Sequence, residues 1–264
     1  MPKINETPAQ KMINKNEMAL IVNGYQSGAA RLLLLDYDGT LVQFDERPEK
    51  AVPDNDLFKM LASLAEKEES DVVIISGRRR EFLERHFGEL PLILIAEHGA
   101  WLKSGAGGWK PSATPDTRWK DEIRPLLELY CDRTPGAFIE EKDFSLAWDY
   151  RRSDVELASM RAMELKGNLL NMVANRNLGI LEGNRVLEIK SLEVSKAKIT
   201  SYLLSLKDYD FILGMGDDAT DEDLFAAIPE RGYSIKVGRG SSKARYHVAD
   251  VASARSLLKK LVET

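Results

Sequence analysis

Cysteine is nearly absent from these 264 residues, with Cys131 the only one, and histidine occurs three times. A single thiol excludes an internal disulfide and a cysteine metal cluster, and it fits a reducing compartment, so a cytoplasmic location is expected. No stretch approaches the ~18 consecutive apolar residues of a membrane-spanning helix. The N-terminus lacks a charged head followed by an apolar run and a small-residue cleavage site. Strong charge is missing too: the net charge is −5 with no basic stripe, which argues against nucleic acid or an anionic membrane as partner. His86 and His247 stand alone, without metal or triad spacing, and Gly105 to Gly108 lacks the lysine and threonine of a P-loop. What is present is the balance of a soluble globular protein, 44% hydrophobic and 30% charged. The length exceeds the ~100–200 residues of one domain but is short for two, which suggests a core with an insertion.

The pattern along the chain supports that division. Residues 1–29 are polar, with a helical patch from Gln10 to Tyr25 that reads as a docking helix or linker. Arg31 to Leu35 is a short apolar run closed by Asp36-Tyr37-Asp38-Gly39, as expected of a central parallel strand buried on both faces. A helix over Asp54–Lys67, a strand over Asp71–Ile75, a helix over Arg79–Phe87 and a strand over Pro91–Ala96 follow. This β-α-β-α-β order predicts a parallel sheet with helices on both faces and ligands beyond the carboxyl ends of the strands. From about Pro115 the rhythm becomes α-β-β-α-β-β, an inserted α+β unit, and after Lys190 the α/β alternation returns. The expected division is therefore a segment 1–29, a core of 30–114 and 191–264, and an insertion of 115–190.

Two acidic turns carry the candidate chemistry. Carboxylates as close as Asp36 and Asp38 repel by about 4 kcal/mol at ~4 Å in an effective dielectric of ~20, so either one is protonated or a cation holds them. A hard divalent ion with oxygen ligands is the simple solution. The run Gly216-Asp217-Asp218-Ala219-Thr220-Asp221-Glu222-Asp223 also begins after an apolar strand and places five acids in seven residues. A helix N-terminus favoured by the macrodipole accounts for Glu222 and Asp223, and less well for Asp217, which lies in the strand-to-helix loop.

Taken with Thr40, Ser76-Gly77-Arg78 and Lys196 before a helix, these turns form a four-motif series, and the chain resembles the haloacid dehalogenase superfamily. More narrowly, Ala96-Glu97-His98-Gly99, Ile139 to Lys142, Ser145 to Trp148, Val186 to Lys190 and Gly216 to Phe225 resemble the trehalose-6-phosphate phosphatase family. The resemblance implies a Rossmannoid parallel-sheet core with an αββαββ cap of the C2 type, and a Mg²⁺-dependent phosphatase acting on a small sugar phosphate. It implies Asp36 as nucleophile, Asp38 as general acid/base, and Ser76 and Lys196 on the phosphoryl oxygens. Mg²⁺ would be held by Asp36, the main-chain carbonyl of Asp38 and Asp217, with Asp218 and Asp221 behind these ligands. Glu140, Lys142 and Glu188 of the cap would face the core across a cleft and bind glucose hydroxyls. Arg78, with Gly77, would orient the phosphate or its loop, and His98 would play a supporting part near the hinge. Hinges are expected near 110–116 and 188–193. Other sugar-phosphate phosphatases, of the sucrose-phosphate or mannosyl-3-phosphoglycerate type, remain alternatives, as does a silent sugar-phosphate sensor. The late start of the motifs also raises a larger protein in which a trehalose-6-phosphate synthase domain is joined to this chain or partners it.

Overall fold

In the computed structural model of the chain, the described residues are 10–45, 47–105 and 107–263. They fold as two compact units, one formed by the segments up to Lys110 and from Lys196 onward, the other by Pro111–Ser195. Among the described residues no helix is long and apolar enough to cross a membrane.

The first unit is built on a nine-stranded sheet. Its order is β1 (Lys11–Met12), β13 (Tyr246–Val248), β12 (Tyr233–Val237), β11 (Phe211–Gly216), β2 (Arg31–Asp36), β3 (Ser70–Ile75), β4 (Ile93–Ala96), β5 (Trp101–Ser104), β6 (Lys110–Pro111). Pairing is parallel from β1 through β4 and turns antiparallel at β5. Leu32 to Leu35 of β2 are all fully buried because alternate side chains enter two separate cores. Leu33 and Leu35 pack with α1 (Lys15–Ser27), α2 (Asn55–Ala65), α3 (Arg80–Phe87) and α8 (Val251–Val262). Leu32 and Leu34 pack with α6 (Lys196–Leu206) and α7 (Asp221–Ala227). The haloacid dehalogenase-like α/β fold expected from the sequence is the fold observed.

Register sets up the site. Leu35 lies beside Met215, Asp36 beside Ile75, and Gly216 beside Lys236, so four neighbouring strands end at one level. The loops that follow β2, β3 and β11 therefore open on the same edge, although their residues are far apart in sequence.

The helix expected from Gln10 begins only at Lys15, because Asn14 caps it, its side chain accepting from the amides of Asn16 and Glu17 at 2.7 and 3.3 Å. Met12, inside the patch read as helical, is 60% exposed in edge strand β1. The segment read as a docking helix or linker places Ile21 and Tyr25, both fully buried, in the core.

The second unit contains α4 (Trp119–Asp132), β7 (Phe138–Glu141), β8 (Ser145–Asp149), α5 (Val155–Val173), β9 (Leu178–Gly183) and β10 (Val186–Ser191). The strands form an antiparallel sheet of order β7-β8-β10-β9. Leu146, Trp148, Leu187 and Ile189 pack against Ile123 and Leu127 of α4 and Leu165 and Leu169 of α5. Residues between them in sequence project from the other face. β10 is paired with β9 as far as Ser191, and the chain passes between the units at 110–111 and 195–196.

Asp54 caps α2 by accepting from the Leu57 amide at 2.8 Å, and it is gripped from α8 by the Arg255 guanidinium. Asp54→Ala is expected to cost about 1 kcal/mol, as for a lost N-cap, measured by urea denaturation of the full chain. A loss near zero would show that the cap and its arginine contribute nothing.

Candidate active site

The first unit gathers Asp36, Asp38, Ser76, Gly77, Arg78, Lys196, Asp217, Asp218 and Asp221 around the strand ends. At the centre is Lys196, the first residue of α6 and 2% exposed, whose ammonium donates to Asp36 Oδ1 and Asp221 Oδ1, both at 2.7 Å. Burial opposes the charge on Lys196, yet the carboxylates of Asp221 and Asp36 outweigh it and raise its affinity for the proton. Asp221 Oδ2 accepts from the amides of Asp217 and Asp218 at 3.0 and 3.1 Å, so both oxygens of this buried acid are engaged.

Asp36, Asp217 and Asp221 each offer a carboxylate oxygen within 4.8 Å of the others. Burial, the largest influence, raises the pKa of Asp36 well above the ordinary carboxylate value; Lys196 opposes this and Asp217 adds to it. Asp217 is pushed up to about 7, first by burial and then by the charges of Asp218 and Asp221. Burial also opposes ionisation of Asp218, but Lys196 and the Thr220 hydroxyl outweigh it and hold that carboxyl below its usual range. Asp218 Oδ1 accepts from the Thr220 amide and hydroxyl at 2.8 and 2.7 Å, shaping the turn into α7. The buried carboxyl groups of Asp36 and Asp221, which share one ammonium, and the half-buried Asp217 beside them form an oxygen-rich, charge-deficient pocket, and these residues fit a hard divalent cation.

The two acidic turns meet closely. Gly39 adopts φ +77°, and a Cβ there would collide with the Asp217 carboxylate, so glycine serves both the bend and the approach. Thr40 Oγ1 donates to Asp217 Oδ1 at 3.2 Å, and Lys236 Nζ donates to the Asp217 main-chain carbonyl. Sequence reasoning did not single out Lys236; a lysine next to last in a short strand carries no signal that it turns inward.

Asp38 is held differently. Arg78 donates through Nε and Nη2 to its two oxygens at 2.7 and 2.5 Å and through Nη1 to the Pro48 carbonyl at 2.7 Å, while stacking over Phe82 at 4.6 Å. Such a bidentate fork fixes the plane of the carboxylate as a single contact would not. The link from Arg78 to Asp38 was not foreseen from the sequence.

Ser76 is buried, and its Oγ accepts from the Arg78 amide at 3.1 Å. The 76–78 loop is braced from behind: the His98 amide donates to the Ser76 carbonyl at 2.9 Å, and the Glu97 amide to that of Arg78 at 3.0 Å. Glu97 and His98 have φ of 51° and 58°, left-handed values that cost of order 1–3 kcal/mol each in non-glycine residues. A Cβ on Gly77 would lie 2.5 Å from His98 Nε2, which explains the glycine by its neighbour.

Glu140, Lys142 and Glu188 belong to the second unit. Glu140 and Glu188 flank Ala147 in register across β7, β8 and β10, on the face away from the helices. Lys142 follows β7; its ammonium donates to both oxygens of Glu188 at 3.1 and 3.2 Å, and Ser145 Oγ donates to Glu188 Oε1 at 2.5 Å. Lys142 and Glu188 are both buried.

The parallel sheet, with its acids at the strand ends around a buried lysine, has the haloacid dehalogenase-like fold. The fold is shared with a haloacid dehalogenase-like hydrolase from B. subtilis (TM-score 0.64, 14% identity, 87% of this chain and 99% of that one). More specifically, the family model for trehalose-phosphatase matches residues 34–254, and the chain belongs to that family. It is 41% identical over 231 residues to a bifunctional trehalose-6-phosphate synthase/phosphatase of Thermoproteus tenax, covering 88% of this chain and 32% of that protein. The C-terminal domain of C. albicans trehalose-6-phosphate phosphatase superimposes with a TM-score of 0.90 at 28% identity, covering 96% of this chain and 98% of that one. The chain spans about a third of the length of the curated relatives it matches.

The raised pKa of Asp217 has a consequence for stability. The folded protein binds this proton more tightly than the unfolded chain, so the contribution is complete below pH ~4 and is lost as pH rises through about 7. With a chelator present, Asp217→Asn is expected to melt above the natural chain at pH 8, the gap closing towards pH 5. Excess divalent cation should reverse the order. Equal melting temperatures across this range would refute the charge-deficient pocket.

Proposed function

We propose that this chain hydrolyses trehalose 6-phosphate to trehalose and phosphate, in trehalose biosynthesis, through an aspartyl-phosphate on Asp36. The observation that carries the reading is the buried Lys196, whose contact with Asp36 Oδ1 fixes that carboxylate at the strand edge where the two acidic turns meet. Family membership supports the substrate class.

In the first half-reaction the second oxygen of Asp36 attacks phosphorus. The P–O bond to Asp36 forms as the P–O bond to the sugar breaks, and Asp38, protonated and turned out of the Arg78 fork, gives its proton to the departing sugar oxygen. In the second half, water attacks the acyl-phosphate and Asp38 takes its proton, releasing phosphate and restoring the Asp36 carboxylate. Lys196 and Ser76 stabilise the phosphoryl oxygens, the kind of electrostatic contribution that dominates phosphoryl transfer. Mg²⁺ is the proposed cation, held by Asp36, Asp217 and the main-chain carbonyl of Asp38; when bound it supplies charge neutralisation for the transferring group. Asp221, with both oxygens engaged, and Asp218, with its turn to hold, stand behind these ligands.

The second unit, taken from about 115 to 190, is proposed as the cap that selects the sugar. Glu140, Lys142 and Glu188 answer the mixed donors and acceptors of glucose hydroxyls with carboxylate and ammonium groups. Arg78 orients Asp38, and Gly77 lets the phosphate loop pass His98. Because a relative of this chain is a bifunctional synthase/phosphatase, the chain is further proposed to work joined to, or beside, a trehalose-6-phosphate synthase.

Phosphate release from trehalose 6-phosphate is expected with Mg²⁺ and absent with chelator. Asp36→Asn should reduce it by at least about a thousandfold, and Asp38→Asn by about 10²–10⁴-fold. Undiminished release by the Asp36 variant would end the mechanism, and equal rates on a panel of sugar phosphates would end the substrate assignment.

A further inference from the structure

Lys120, on α4, is an unusual residue to bury. It is 7% exposed, and its ammonium donates to the main-chain carbonyls of Lys142 and Asp143, the latter at 2.8 Å, and to Glu141 Oε1 at 3.4 Å. Those three acceptors are consecutive and belong to the tight turn between β7 and β8, closed by the Lys142 amide donating to the Ser145 carbonyl at 3.1 Å. Glu141 is gripped from the same helix by Arg124 Nη2 at 2.5 Å. A lysine taken out of water needs strong acceptors in return. Here these are the backbone groups of one turn, so helix and turn are tied at a point where a hairpin tip would otherwise move freely.

We infer that Lys120 is a positioning residue for Lys142. By pinning the carbonyl of Lys142 it fixes where that side chain starts and so how it meets Glu188, two buried groups whose separation is set by a hairpin on one side and β10 on the other. Lys120 itself, with its ammonium directed into the turn backbone, does not touch substrate. This inference rests on the proposed role of Lys142 in sugar recognition, but the tether can be tested without any substrate.

The test uses the full chain carrying Lys120→Met, which keeps the stem and removes the charge, and Lys120→Arg, which keeps a donor. Amide hydrogen exchange over residues 141–146 is expected to quicken in Lys120→Met and to be partly restored in Lys120→Arg; unchanged exchange in Lys120→Met overturns the tether. With trehalose 6-phosphate, Lys120→Met is expected to raise KM about tenfold with kcat little changed, while turnover of p-nitrophenyl phosphate, which has no second sugar to recognise, stays at the natural level. Adding Lys120→Met to Lys142→Ala should then cause no further loss, because residues acting through one another are not additive. A full additional loss in the double variant, or a matching loss on p-nitrophenyl phosphate, overturns the positioning role. If the natural chain releases no phosphate from trehalose 6-phosphate, the proposed function fails, and hydrogen exchange still decides the tether.

Discussion

One buried ammonium, that of Lys196, is the interaction on which the catalytic unit depends. It bridges Asp36 at the end of β2 and Asp221 at the start of α7, two acids that would otherwise repel in a place where water cannot screen them. The remaining donors to Asp221 are the amides of the loop that carries Asp217. Through Asp221, then, Lys196 helps set the position of the second acidic turn relative to the first. The arrangement leaves an excess of carboxylate that suits a divalent cation.

Around that centre the supports are of a different kind. Gly39 allows the first turn to bend away and the Asp217 carboxylate to come close, and the left-handed residues Glu97 and His98 brace the loop bearing Ser76. Strained backbone of this sort persists only where its surroundings over-determine it. The second unit uses the same economy of charge: Lys142 and Ser145 satisfy Glu188, and Lys120 satisfies the turn from which Lys142 extends.

Much of this was legible before any coordinates. Apolar runs ended by acidic turns located β2 and β11, and helical spacing located α2, because burial on both faces of a strand or on one face of a helix leaves a distinct mark in the sequence. Short pieces escaped. β1, β5, β6 and β13 have two to four residues, too few to show a period, and they exist because a neighbouring strand offers an edge. The helix expected from Gln10 lost its first turn for a similar reason: Asn14 caps the backbone, and Lys11 finds a partner in β13.

Within the candidate site, the kinds of residue were readable and their relations were not. Asp36, Asp38, Asp217 and Asp221 stand out in sequence because acids concentrated after apolar strands call for compensation. Lys196 and Lys198 look alike on paper, and only the direction in which α6 turns them buries the first and exposes the second. Likewise the fork of Arg78 on Asp38, the inward turn of Lys236 and the tether of Lys120 arise where distant segments meet. The amino-acid order by itself determined the longer strands and helices and which groups could carry charge, since these follow from local propensity and the period of burial. Tertiary structure alone decided which of those charges face one another, because strand register and helix rotation are properties of the packed whole.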